Sequence, residues 1–136
     1  MIDTSILLDC ARRKLDVLGE LGALIDRPFE AVVPSGGLAE LERKAEEKGM
    51  RGADARFALK LMRAALEGGP GGAGILGVQV RVAPSEGHVD DWLFARAKEL
   101  GADAVLCTSD AELRRKAKAA KLRTVAIMHN SKLGYG

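Results

Sequence analysis

Aromatic side chains are scarce in this chain, only 4% of residues, and cysteine occurs just twice. A core must therefore be assembled from Leu, Val, Ile and Ala, with Phe29, Phe57, Phe94 and Trp92 as isolated large pieces. A serial stacking platform for nucleobases is excluded as the main mode of binding. Cys10 and Cys107 sit in apolar runs without a CxxC or Cys/His spacing, so buried free thiols in a reducing compartment are expected rather than zinc or disulfide chemistry. No apolar run approaches the roughly 18 residues that cross a bilayer, and the opening MIDTS has neither a basic leader nor an apolar signal core. A cytoplasmic protein without a membrane partner is the expectation. Glycine is plentiful at 68–77, GGPGGAGILG, but the Gly-Lys-Ser/Thr ending of a phosphate-cradling loop is missing, which leaves a surface loop.

What the chain does have is enough length for one domain, residues 1–136, and an uneven charge. The net charge is +2, yet residues 111–136 carry seven Lys or Arg against the single acid Glu112, so everything before them is net negative. A basic end beside an acidic region suits a polyanion that needs both phosphate contacts and a cation-filled cluster.

Apolar periodicity alternates between helix and strand along the chain. Helical spacing covers Ser5 to Ala11 and then Leu15, Leu18, Leu21, Leu24 and Ile25. A strand is expected at Ala31–Val33, followed after Pro34 by a helix with Leu38, Leu41 and Ala45 inward. Asp54 to Leu66 reads as a helix with Phe57, Ala58, Leu61, Met62 and Ala65 on its buried face and Arg56, Lys60 and Arg63 on a solvated one. Val78–Val82 alternates like an edge strand. Next come a helix opening at Asp90-Asp91, a buried strand at Ala104–Thr108, and a basic helix at 111–120 started by a Ser109/Glu112 capping box. A last strand at Thr124–Ile127 precedes a polar tail. The expected class is α/β: a three-layer sandwich with a central parallel sheet of four to five strands and helices on both faces.

In such a sheet the strands end on one edge, where sites form. Asp3, Asp90 and Asp110 each start a helix there, and Glu40 lies about a turn inside its own. Capping explains any one of these acids, but not their convergence. Crowded carboxylates repel unless a divalent cation compensates, and an all-oxygen set without neighbouring Cys or His ligands favours Mg²⁺ or Mn²⁺. Asp91 joins the candidate metal ligands. Thr4, Ser35, Thr108 and Ser109 stand beside acids as candidates to hydrogen-bond them, with capping and turn formation as their ordinary roles. Arg114 and Arg115 are candidates for holding phosphates, and His88 for a base or ligand.

The ordered set Asp-Thr-Ser near the start, Pro34 to Glu42 (PSGGLAELE), the Asp90-Asp91 helix and Cys107 to Leu113 (CTSDAEL) resembles the PIN-domain ribonuclease family across nearly the whole chain. It is closer to the rRNA-processing and archaeal branch than to the toxin branch. The resemblance implies a metal-dependent endoribonuclease that cuts single-stranded RNA to 5′-phosphate and 3′-hydroxyl products, with Asp3, Glu40, Asp90 and Asp110 as its acidic quartet. Asp90 is favoured over Asp91 because counting to Ala97 and Gly101 reproduces the family's helix register. An abbreviated first strand is the departure, and it leaves Asp3 less firmly anchored. A toxin-type ribonuclease held by an antitoxin and a non-catalytic RNA-binding or assembly module remain alternatives. A homodimer, an antitoxin and a ribosome-assembly factor are the protein partners left open.

Overall fold

The computed structural model describes residues 1–67, 78–129 and 132–136; the glycine-rich loop expected at 68–77 lies outside them. The described elements run α1 (Thr4–Arg12), α2 (Val17–Ile25), β1 (Phe29–Pro34), α3 (Ser35–Ala45), α4 (Gly49–Glu67), β2 (Val78–Ala83), α5 (Val89–Leu100), a 3₁₀ turn (Gly101–Asp103), β3 (Val105–Cys107), α6 (Ala111–Ala119), β4 (Arg123–Ile127) and β5 (Leu133–Tyr135). The fold is α/β, as the alternating periodicity requires.

The single sheet of four to five parallel strands is not what forms. Among the described residues the ladders divide into a parallel pair, β1 with β2, and a three-stranded sheet in the order β3-β4-β5, whose last strand is antiparallel. The division falls at Met1–Asp3, which is too short to build a strand and makes one isolated parallel bridge, Ile2 with Cys107. That segment nevertheless bonds both ways. The Ile2 amide donates to the Val32 carbonyl at 2.9 Å on one side, while Cys107 N–H reaches Met1 O at 2.8 Å and Asp3 N–H reaches Cys107 O at 2.9 Å on the other. Asp3 is therefore anchored despite the short lead-in. The antiparallel strand arises because β5 returns directly from β4 by a hairpin, whereas a parallel neighbour would need a crossover.

Side-chain alternation along the strands covers both faces. Ala31, Val33 and Cys107 join Ile2, Ile6, Leu21, Leu41 and Met62 in one core under α1 to α4. Val32 and Leu106 join Leu93, Leu113 and Ala117 in a second core under α5 and α6. Both cysteines are free and buried, and burial pushes the Cys10 thiol up to about 12, which makes it inert.

The α4 face keeps Ala58, Met62 and Ala65 buried as expected, with Leu61 packed against the core, but Phe57 is not part of it. Gly52, Ala55, Ala58, Leu59, Met62 and Ala65 turn inward, and Phe57 is 44% exposed. The small residues let α4 lie close against α3 and α1, a fit that counting large apolar residues does not register. Gly52 is required at the start of this contact, since a Cβ there would fall 1.7 Å from the Glu47 carbonyl oxygen. Among the described residues, no helix is long and apolar enough to cross a membrane.

Candidate active site

Asp3, the end of Ile2's bridge, and the ends of β1 and β3 all open toward one edge, and α1, α3 and α6 begin there. A cleft of about 760 Å³ occupies that edge, and Asp3, Glu40, Asp90 and Asp110 all line it. Four acids far apart in sequence are thus brought together by four different elements.

Asp3 is the most deeply set, 5% exposed. Two hydroxyls donate to the same oxygen, Oδ2: Thr108 Oγ1 at 2.7 Å and Ser5 Oγ at 2.7 Å. Each hydroxyl has one proton, so both are committed to Asp3, and their lone pairs in turn accept backbone N–H groups. Asp110 N–H donates to Thr108 Oγ1 at 3.0 Å and Ser109 N–H donates to Ser5 Oγ at 3.0 Å. The chain entering α6 is therefore pinned to the carboxylate opening α1. Such O–H···O⁻ bonds are among the stronger ones available to a protein.

Asp110 is the N-cap of α6, where Oδ1 accepts from Glu112 N at 2.9 Å and Leu113 N at 3.1 Å. This corrects the expected Ser109/Glu112 box: Asp110 takes the cap, and Ser109 Oγ is left as the buried side-chain oxygen without a partner among the described residues. Glu40 on α3 faces Lys44 one turn later, Oε1 to Nζ 3.8 Å.

Asp90 and Asp91 occupy successive positions in the first turn of α5, so a rotation of about 100° separates them. Asp90 lines the cleft. Asp91 does not; its side chain is 75% exposed and lies 3.9 Å from Lys116. Burial pushes the Asp90 carboxyl above its ordinary value, the charges of Asp3 and Asp110 push it further, a hydrogen bond with Asp110 acts the same way, and His88 partly offsets them. The ionised form is disfavoured in the folded state, so Asp90 destabilises the metal-free protein at neutral pH, and that penalty fades as pH falls toward the ordinary carboxylate range. Asp90→Asn, which keeps a donor for Asp110, is expected to raise the metal-free thermal midpoint at pH 7 by a few degrees at most, because the group is partly hydrated. The gap should close on acidification. Equal midpoints at pH 7 would argue against mutual repulsion.

The remaining candidates separate clearly. Thr108 bonds the acid network directly, whereas Thr4 Oγ1 donates to Gly37 O at 3.1 Å. Ser35 is exchanged with Ser85: Ser85 N–H donates to Ser35 Oγ at 2.9 Å and Gly36 N–H to Ser85 Oγ at 2.8 Å, which staples the start of α3 to the loop leading into α5. Ser5 and Ser85 were not singled out by the sequence. Ser5 was legible, since a serine two residues after a helix-capping acid is placed for a local side-chain bond; Ser85 has no local signal. His88 lines the cleft as the N-cap residue of α5. Arg114 and Arg115 do not line it; the cations that do are Arg12, Arg43, Lys44 and Arg51, from α1, α3 and α4.

Among the described residues no three His, Cys, Asp or Glu side chains are gathered tightly enough to enclose an ion by themselves. The oxygen-only acids, the repulsion borne by Asp90 and the orphaned Ser109 Oγ of another lining residue still fit a hard divalent cation that keeps part of its water shell, as Mg²⁺ commonly does.

No curated protein matches the chain. A solved structure entitled "Structure of the PIN domain endonuclease Utp24" is similar in fold, with a TM-score of 0.73 over 98% of this chain and 87% of that one, at 18% sequence identity. The family model described as the PIN domain matches residues 1–128, a span that contains all four acids of the cleft together with Ser5 and Thr108. By that match the chain belongs to the PIN domain family.

Proposed function

We propose that the protein is an endoribonuclease that cuts single-stranded RNA with Mg²⁺ or Mn²⁺ held by Asp3, Glu40, Asp90 and Asp110, and that it serves RNA processing or turnover. PIN domains are in general nucleases that use divalent metal ions. The observation that carries the reading is the convergence of the four acids on one cleft, with Asp90 pushed up by Asp3 and Asp110. Family resemblance in the motifs favours the rRNA-processing branch over the toxin branch.

A bound cation would polarise a phosphoryl oxygen and make water a better nucleophile at neutral pH. This chain's own residues do the positioning. Thr108 and Ser5 fix the Asp3 carboxylate through Oδ2, and neither hydroxyl bonds its other oxygen, Oδ1. Capping occupies Asp110 Oδ1, so Oδ2 is the oxygen left outside the cap, and a cation drawing on it would replace the hydrogen bond that Asp110 shares with Asp90. Lys44 steadies Glu40. Ser109 belongs to the cleft lining, and its buried Oγ, without a partner among the described residues, is a spare hydrogen-bonding group should a water of the ion's shell come within reach.

The reading is tested with an unstructured RNA incubated with and without Mn²⁺. Internal cleavage that appears with Mn²⁺ and vanishes with a chelator is expected. A purified, folded protein that leaves the RNA whole at every divalent cation tried would sink it.

A further inference from the structure

Cations around the cleft are not equivalent in what holds them. Arg12 is bonded to Asp9 and Lys44 pairs with Glu40. Arg43 and Arg51 also line the cleft, are exposed, and have no ion-pair partner among the described residues. They flank the corner between α3 and α4, Arg43 in the last turn of one helix and Arg51 in the first turn of the next.

Local helix energetics account for one of the two. Arg43 sits at the negative end of the α3 dipole, where a cation is favoured. Arg51 sits at the positive end of α4, in a first turn that contains no acidic residue, so its charge there is unfavourable by the same rule. No ion pair among the described residues rewards that placement, and Asp54, three residues on and also lining the cleft, does not pair with it.

The corner presenting both is firmly built. Arg56 Nη1 donates to the Ala45 carbonyl at the end of α3 at 2.9 Å and to the Glu47 carbonyl in the connection to α4 at 3.2 Å. The absence of a Cβ at Gly52 lets the Glu47 carbonyl close over the start of α4.

We propose that Arg43 and Arg51 form a subsite for the phosphodiester backbone of single-stranded RNA, which leads the strand to the acids of the cleft. This rests on the nuclease reading above and assigns the backbone contacts to the α3–α4 corner rather than to the basic helix α6. An exposed guanidinium that no carboxylate holds at ion-pair distance is well matched to a phosphate. The cost at Arg51 is the kind of local penalty expected where binding rather than folding places a residue.

The test is binding of a labelled uridine oligomer, followed by fluorescence anisotropy over a series of KCl concentrations, in EDTA and on an Asp110→Asn background so that no cutting intervenes. Each phosphate contact contributes about 0.7 to the slope of log affinity against log salt for a single strand. Arg43→Ala with Arg51→Ala is expected to flatten the slope by about 1.4 and to weaken binding about tenfold or more in low salt. Arg114→Ala with Arg115→Ala should leave the slope unchanged. Arg51→Ala alone should keep or raise the thermal midpoint, which a purely structural arginine would not. Retention of the parental slope by the Arg43/Arg51 pair, or its loss in the Arg114/Arg115 pair instead, overturns the subsite while leaving the nuclease reading intact. No RNA binding by the parent also overturns the subsite, and the nuclease reading is judged separately by the Mn²⁺-dependent cleavage above.

Discussion

Asparagine at position 110 is expected to lower Mn²⁺-stimulated RNA cleavage by roughly two to three orders of magnitude, the scale seen when one charge-stabilising group is removed from a site, without unfolding the protein. The reason lies in the two jobs of this side chain. As N-cap, Asp110 uses Oδ1 to accept from Glu112 N and Leu113 N, and an asparagine carbonyl oxygen caps about as well as a carboxylate. What asparagine removes is the charge. Circular dichroism and the thermal midpoint should therefore stay close to wild type while cleavage collapses. Equal cleavage by both proteins would remove Asp110 from the reaction.

Thr108→Val is expected to have the largest effect on stability. Thr108 is wholly buried, and its hydroxyl both donates to Asp3 Oδ2 and accepts from Asp110 N–H. Valine keeps the shape, strands the amide of Asp110 and puts a methyl group against a carboxylate oxygen. Leaving such partners unsatisfied costs about 2–3 kcal/mol, or a fall of about 6–15 °C in thermal midpoint for a domain of this size. Thr108→Ser keeps the hydroxyl and loses a methyl group, and should cost about 1 kcal/mol. Loosening Asp3 should also weaken Mn²⁺ binding about 10- to 100-fold in the valine variant, as measured by calorimetry. A valine variant that melts with wild type would mean that the hydroxyl bonds contribute nothing.

Much of this molecule was legible because its signals are local and repeated. Leu41 is buried, with Leu38 and Ala45 packed against the same core, where the helical period put them, and Asp3, Asp90 and Asp110 lie at helix starts marked by turn chemistry, with Glu40 farther inside α3. The family's helix register prefers Asp90 to Asp91, and the structure has Asp90 lining the cleft with Asp91 beside Lys116. What stayed hidden depends on partners distant in sequence. Met1–Asp3 looked like a weak lead-in, yet backbone bonds from both neighbouring strands secure it. Leu133–Tyr135 is too short, and too broken by Gly134, to show a period, and pairs only because β4 offers an open edge. Phe57 is an exposed aromatic on a helix whose contact face is mostly Gly and Ala, with Leu59 and Met62. The basic α6 drew attention by charge density alone, whereas the cations at the cleft come from α1, α3 and α4.

The most direct measurement is the anomalous diffraction of a crystal soaked in Mn²⁺. A peak is expected within coordination distance of oxygens from Asp3, Asp90 and Asp110, with Glu40 reaching it directly or through water, and with Asp91 still turned toward Lys116. A peak held by Asp91, or a cleft that stays free of manganese at millimolar concentration, would contradict a cation site built from these acids.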